Sequence, residues 1–356
     1  MTMAGAGKPI KAAGTGRVSD LRPVGVLSTL AIVAVAFALG ALLILAIGGS
    51  PWQAYRALVV AAFGSANGFA ETMVKACPLL LAGLGVTVAY RARFWNIGAE
   101  GQIYAGGIAA ALAGIYLGWL PAALQMPLAL VAGVVGGALW GLGPGFLRAR
   151  LKVNEVITTL MLTYIVVEVS SYLVHGPLRD PTSGITISPQ LARAAWLTIV
   201  LPRTRFHLGI ILALVMAPLL YLALNKTVLG FQIRAVGENP RAARVAGISV
   251  ERTIILAAVL SGALAGLAGA AEVCGVQHRL VEAFSPGYGY LAIAVALLGG
   301  LEPLPVVFSA VLFAALLNGA DAMQRAAAVP VPVIYVIEGL VILFVAARSL
   351  KRGVGL

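Results

Sequence analysis

The sequence predicts an all-α fold, a polytopic bundle of membrane-spanning helices. Hydrophobic residues make up 60% of the 356 residues and charged residues only 11%, and a water-soluble domain of this length could not bury that much apolar surface. The apolar runs are continuous and long enough to cross a bilayer about 30 Å thick as helices. They do not show the alternating segments of about ten residues that mark outer-membrane strands.

The charged and potentially metal-binding residues exclude several functions. The net charge of +12 does not predict a nucleic-acid partner, because the Lys and Arg residues gather between the apolar runs rather than on one folded surface. Cys77 and Cys274 are far apart, and their spacing predicts small core residues rather than a metal site. His175, His207 and His278 are isolated from one another. We expect no metal or cofactor in this chain.

Ten apolar segments are candidates for membrane spans. They lie near residues 24–47, 70–90, 97–119, 124–147, 153–174, 206–224, 253–276, 288–301, 304–319 and 331–347. Two of them, 288–301 and 304–319, are short for a bilayer, and the connecting sequence LEPLP carries two prolines. Broken or re-entrant helices are therefore expected there.

The segments between the spans predict the domain organisation. Residues 1–23 are rich in Gly, Ala, Lys and Arg without an apolar pattern, so we expect a basic N-terminal tail without fixed structure. Residues 24–349 form a single transmembrane domain, and residues 350–356 form a C-terminal tail. Most basic residues lie in both tails and in alternate connections, and the positive-inside rule places these in the cytoplasm. The connection at residues 225–252 is then cytoplasmic, and the one at 175–205 is external.

Ten spans divide into five and five, which predicts a possible inverted repeat like those of many transporters. The support from the residues is limited to a Gly-rich polar interruption in each half, at 96–107 and at 286–300. Small residues such as Gly262, Gly266 and Ala270 recur every four positions and predict close helix approach.

The basic connection at residues 225–252 is predicted to contain a short helix. Asn239 can cap this helix, Pro240 can begin it without losing a hydrogen bond, and Gly247 can end it about two turns later. Arg241 and Arg244 then share one face, while the neighbouring positions are small and apolar. Such a helix at the membrane surface suits docking into a groove of another protein.

Asn96, Glu100 and Gln102 enter an apolar span and form the first polar candidate for a solute path. A buried ionisable group usually faces a cavity or a partner, so Glu100 is a candidate for the wall of a translocation path. The alternative is that Glu100 pairs with Arg91 or Arg93 near the cytoplasmic rim. The sequence does not decide between the two.

Asn154, Thr158 and Thr159 form the second candidate. Their side chains both donate and accept hydrogen bonds, which suits a hydroxylated or heterocyclic solute. The alternative is that Asn154 and Glu155 only cap the helix and offset its positive end.

Three further acids, Glu168, Glu272 and Glu338, lie within apolar segments. Proton coupling is one interpretation. Interhelical hydrogen bonding is favoured, because no second acid or His lies one helical turn away from any of them.

Five motifs resemble the membrane permease subunits of bacterial ABC importers. They are FWNIGAEGQ at 94–102, NEVITTLML at 154–162, GPLRDP at 176–181, AVGENPRAARVAGI at 235–248 and GYGYLAIAVALLGGLEP at 287–303. The group is the one shared by branched-chain amino acid, simple-sugar and nucleoside systems, and the similarity is greatest to the nucleoside (purine) or simple-sugar branch. Pro305 departs from the pattern, in which a Gly is more usual.

The resemblance implies a permease in the bacterial cytoplasmic (inner) membrane that forms the solute pathway for nucleosides, related ribosides or simple sugars. Its partners would be a second, homologous permease subunit, two ATP-binding subunits that hold ATP and Mg²⁺, and an external solute-binding lipoprotein. The loop at 175–205 would receive the lipoprotein. The helix that couples to the ATPase would comprise the following residues: Glu238, Asn239, Pro240, Arg241, Ala242, Ala243, Arg244, Ala246, Gly247 and Ile248.

Two other classes of function stay open at the level of sequence. An ion- or proton-coupled secondary transporter suits the ten spans equally well, but it does not need a capped, Arg-bearing helix in the basic connection. A membrane-embedded enzyme is disfavoured, because the sequence has no Gly-rich phosphate loop, HExxH or GxSxG motif. We therefore expect a non-catalytic subunit.

Overall fold

A computed structural model describes residues 23–327 and, beyond them, residues 329–330, 332–333, 335–337, 339–340 and 342–344. The predicted N-terminal tail up to residue 22, the C-terminal tail and Glu338 lie outside the described residues. The helices in chain order are α1 (Pro23–Ala46), α2 (Pro51–Phe63), α3 (Ala66–Arg91), α4 (Ala99–Tyr116), α5 (Ala122–Phe146), α6 (Glu155–His175), α7 (Leu208–Lys226), α8 (Val228–Glu238), α9 (Pro240–Val245), α10 (Val250–Glu272), α11 (Tyr288–Leu298) and α12 (Pro303–Ala327). A π-helical turn extends α5 over Leu147–Leu151 and another extends α10 over Val273–Gln277.

Six of these helices are long and apolar enough to cross a membrane, judged by length and composition. They are α3, α5 with its π-helical turn, α6, α7, α10 with its π-helical turn, and the first part of α12. The all-α membrane fold is thus confirmed, while the count of ten spans and the inverted repeat stay predictions. α12 begins at Pro303, where proline suits a first helical turn, and its 25 residues correct the expectation of a short segment at 304–319.

α10 occupies the centre of the bundle and packs against α3, α4 and α5. Glycines allow the closest of these contacts. A Cβ atom on Gly137 of α5 would overlap the carbonyl oxygen of Gly262, and a Cβ atom on Gly266 would overlap the carbonyl oxygen of Gly133. The two backbones therefore touch, which confirms the role predicted for the small residues of α10.

α4 and α11 begin inside the bundle rather than at its ends. Asn96 precedes α4, and its Nδ2 donates to Oγ of Ser261 at 2.9 Å, a residue in the middle of α10. The N-terminus of α11 meets that of α4, because Gly289 packs directly on the backbone of Glu100. The non-helical segments before these helices are thus enclosed by protein, which is the condition for irregular backbone at membrane depth.

The two ends of the bundle differ in structure. One end carries Arg93, Arg148, Lys152, Arg241 and Arg244 around a common cleft, and we call it the basic face. The other end, the opposite face, is covered by the segment at 176–207. That segment is held by backbone hydrogen bonds, including Ser188 N–H to the Leu280 carbonyl at 2.9 Å and Leu197 N–H to the Cys274 carbonyl at 2.9 Å.

Candidate functional site

The short helix predicted in the basic connection is present as α9. Oδ1 of Asn239 accepts hydrogen bonds from the backbone N–H groups of Arg241 at 3.0 Å and Ala242 at 3.1 Å, and Pro240 is the first helical residue. After the helix, Gly247 adopts φ +82°, a conformation that glycine tolerates without steric cost. The predicted cap, start and end of the helix are all confirmed.

One small residue anchors α9 to the bundle. Ala243 is buried against Val236 of α8 and Val250 of α10, with Ile248 and Ile254 packed around this cluster. The other side chains of the helix and its C-terminal turn are exposed, apart from the intermediate Pro240. Val245 is 91% exposed.

A cleft of about 430 Å³ lies beside α9 on the basic face. Its apolar floor is formed by residues such as Val236 and Ile254, and its rim is basic. Two of the rim cations are paired, Arg148 with Glu155 at 3.1 Å and Arg244 with Glu251 at 2.7 Å.

The remaining rim cations, Arg93, Lys152 and Arg241, form no ion pair with the described residues. Arg93 has φ 53° and Lys152 has φ 56°. Side-chain-bearing residues rarely adopt this left-handed conformation, and it is found mostly where the surrounding structure enforces it. The backbone conformation at the ends of α3 and α5 therefore fixes the positions of Arg93 and Lys152 on the rim. Their positive charge favours an anionic partner surface.

Glu100 connects two helix N-termini, and its place in the wall of a solute path stays a prediction. The side chain is 3% exposed, and its Oε2 accepts a hydrogen bond from Gly289 N–H at 2.6 Å. The carboxylate lies in the first turn of α4 and at the start of α11, where a negative charge offsets the positive ends of both helices. The alternative partner Arg91 pairs instead with Glu302, and Arg93 lines the cleft.

Asn96 and Gln102 form a buried polar network with Ser261. Nδ2 of Asn96 donates to Oε1 of Gln102 at 2.8 Å and to Oγ of Ser261 at 2.9 Å, and its Oδ1 accepts from Gly98 N–H at 3.0 Å. Such a satisfied network fixes the register of α4 against α10. Its hydrogen-bonding groups face one another, and a role in contacting solute stays a prediction.

Asn154 caps α6, as one of the two interpretations expected. Its Oδ1 accepts from the N–H groups of Val156 at 2.9 Å and Ile157 at 3.4 Å. Thr158 and Thr159 donate to backbone carbonyls within the same helix, and Thr159 is buried against Gly98. Direct contact of these threonines with solute stays a prediction.

The two described acids that sequence places within apolar segments have different surroundings. Glu272 is buried and accepts a hydrogen bond from Gln277 at 3.3 Å, within the same helical segment. Glu168 is exposed on α6 and has no hydrogen-bond or ion-pair partner among the described residues. The interhelical hydrogen bonds expected for these acids are not present among the described residues.

A family model and several known proteins are similar to this chain over most of its length. Residues 68–346 match the family described as "Branched-chain amino acid transport system / permease component". The guanosine ABC transporter permease protein NupP of Bacillus subtilis is 40% identical over 88% of this chain and 91% of its own length. The nucleoside ABC transporter permease protein NupB of Lactococcus lactis is 37% identical over 91% of both chains.

The glucose ABC transporter permease protein TsgB13 of Haloferax volcanii is 37% identical over 90% of this chain and 87% of its own length. No solved structure shows a significant match. Since the family match and these relatives each extend over most of the chain, the chain belongs to the family of branched-chain amino acid transport system permease components, as a permease subunit of an ABC importer.

Proposed function

We propose that this chain lines the solute pathway of an ATP-driven, binding-protein-dependent importer for nucleosides, related ribosides or simple sugars. The named solutes of its relatives, guanosine, nucleosides and glucose, support this class. All three share a hydroxylated furanose or pyranose ring. The observation that carries the proposal is α9, a capped helix in which Ala243 packs on the bundle while basic and apolar side chains are exposed.

We place the basic face in the cytoplasm, together with both termini, because basic connections stay on that side of the membrane. α9 then lies where a separate ATP-binding subunit, which holds ATP and Mg²⁺, can reach it. The segment at 176–207 then lies outside and receives the solute-binding lipoprotein. A second, homologous permease subunit completes the pathway.

Two contacts link α9 mechanically to the centre of the bundle. The Arg244 guanidinium pairs with Glu251 in the first turn of α10 at 2.7 Å, and Ala243 packs on Val250. A displacement of α9 by the ATP-binding subunit is therefore transmitted to α10, which contacts α3, α4 and α5. Movement at the cytoplasmic face can in this way reach the helices that begin inside the bundle.

Uptake by the complete reconstituted complex tests the proposed substrate class. Proteoliposomes holding both permeases and the ATP-binding subunits, supplied with the binding protein, are given labelled nucleosides, simple sugars and branched-chain amino acids in parallel. We expect ATP-dependent uptake of a riboside or sugar and none of the amino acids. Uptake of amino acids alone would contradict the proposal, and uptake that persists without ATP would favour a secondary transporter instead.

A further inference from the structure

α6 exposes a polar stripe where the neighbouring helices expose apolar residues. The stripe comprises Tyr164, Glu168, Ser171, Tyr172 and His175, whose spacing places them on one helix face. Tyr164 is 60% exposed and Tyr172 is 68% exposed, and the Glu168 side chain between them is exposed as well. The exposed positions of α5 are all apolar or glycine, and those of α7 are apolar up to its last residue.

Glu168 stands about two turns before the end of α6, within the apolar sequence IVVEV. A carboxylate at such a position does not face lipid, because charged groups within spans face the bundle interior or a water-filled cavity. No described residue pairs with it. The stripe therefore faces water or another protein surface outside this chain's own core.

The stripe continues toward the opposite face through contacts with Glu282. Toward the opposite face, Oγ of Ser171 donates to Oε1 of Glu282 at 3.1 Å, and His175 lies 3.8 Å from the same carboxylate. Toward the middle of the bundle, Tyr290 of α11 is 40% exposed. Polar side chains thus continue from the stripe to Glu282 near the opposite face.

We propose that Glu168, with Tyr164 and Tyr172 on either side, is a solute-binding site on the transport path for a neutral, polyhydroxylated ring such as a ribose or hexose. This inference rests on the proposed function. The three side chains lie on one face of α6 with the exposed Ile165 and Val169 between them. The carboxylate oxygens accept hydrogen bonds from neighbouring hydroxyl groups of the sugar, and the tyrosine rings offer apolar faces with polar tips.

The charge of the site also predicts what it rejects. A free carboxylate group on a solute meets the Glu168 carboxylate at this site, and the two like charges repel each other. Ribosides and sugars carry hydroxyl donors and no carboxylate. The site therefore favours the nucleoside and sugar solutes over the amino acids that give the family its description.

The placement of Glu168 on an aqueous path is tested by cysteine accessibility in the assembled complex. The native Cys77 and Cys274 are buried, so the parent protein gives a low background. We expect Glu168→Cys to react with a charged, membrane-impermeant thiosulfonate and the reaction to slow in the presence of transported solute. The matched control is Val215→Cys, at an exposed apolar position in α7, which we expect not to react. Equal, slow reaction of both would overturn the proposal.

The role in solute binding is tested by uptake into proteoliposomes. We expect Glu168→Gln to lower riboside or sugar uptake at least tenfold, with partial recovery in Glu168→Asp and normal co-purification of both permeases. Ile157→Ala, exposed on α6 nearer the basic face, is expected to keep uptake within twofold. Unchanged uptake in Glu168→Gln, or loss of the second permease from the complex, would overturn the assignment. If the unaltered complex carries neither ribosides nor sugars, the proposed function itself fails, and the accessibility result still decides whether Glu168 borders water.

Discussion

The carboxylate of Glu100 accepts a hydrogen bond from the backbone N–H of Gly289 at 2.6 Å, joining helices whose residues are far apart in sequence. The contact brings the N-termini of α4 and α11 together inside the bundle. The carboxylate offsets the partial positive charge of both helix ends. The two non-helical segments that precede these helices are thereby fixed relative to each other.

The contact predicts that replacing Gly289 strongly destabilises the protein. A Cβ atom there would overlap the backbone of Glu100, so Gly289→Ala must separate the two helix ends. We expect the free energy of unfolding to fall by at least ~2 kcal/mol, measured by thermal unfolding in detergent. The control is Gly143→Ala in α5, where a Cβ atom meets only Leu162 at 3.8 Å. There we expect no loss, or a gain of roughly 0.5 kcal/mol from helix propensity.

The cap of α9 predicts a coupling defect from a single small substitution. Asn239→Ala removes two hydrogen bonds to the first turn, and a lost cap costs about 1 kcal/mol. Because α9 spans only six residues, we expect a frayed helix and a severalfold lower solute-stimulated ATP hydrolysis. Ser249→Ala is the control, since Ser249 precedes α10 without a side-chain capping bond. Equal activity of Asn239→Ala and the parent would contradict the role of α9.

His207 is buried at the opposite face, and its burial predicts that the folded protein is less stable in acid. Burial, and to a lesser extent the nearby His278 and Arg205, lower the pKa of His207 to about 4. The unfolded chain therefore binds a proton more readily than the folded one. His207 lowers the free energy of unfolding below about pH 6.5, and this loss increases as the pH falls to about 4.

Between pH 7 and pH 5 we expect a loss of about 2 kcal/mol from this residue, seen as a lower unfolding temperature. His207→Gln should remove most of that pH dependence, whatever its effect on stability at pH 7. A pH dependence that is unaltered in His207→Gln would show that another group is responsible.

The features that sequence predicts correctly are those set by neighbouring residues. The cap at Asn239 and the ending at Gly247 depend on backbone groups a few positions away, so the local pattern determines them. The long apolar helices follow from continuous hydrophobicity alone. α2 is missed because its 13 residues, which include Arg56, are too short and too polar for a span.

The contacts of the polar residues within the bundle depend on distant parts of the chain. Glu100 bonds to α11, and Asn96 bonds to α10, so neither partner can be found from spacing along the sequence. The exposure of Glu168 is of the same kind, because it depends on which face of α6 the other helices cover. Tyr164 and Tyr172, one turn away on each side, are the only indication in the sequence that Glu168 lies on a polar helix face.

Charge reversal on α9 tests the central claim most directly. The variant carries Arg241→Glu with Arg244→Glu, and the measurement is co-purification of the ATP-binding subunit with the two permeases from membranes. The matched control reverses Arg193 and Arg203, which are exposed on the opposite face. We predict loss of the ATP-binding subunit from the α9 variant while both permeases stay inserted, and full retention in the control. Full retention of the subunit, with normal solute-stimulated hydrolysis, in the α9 variant would contradict the account.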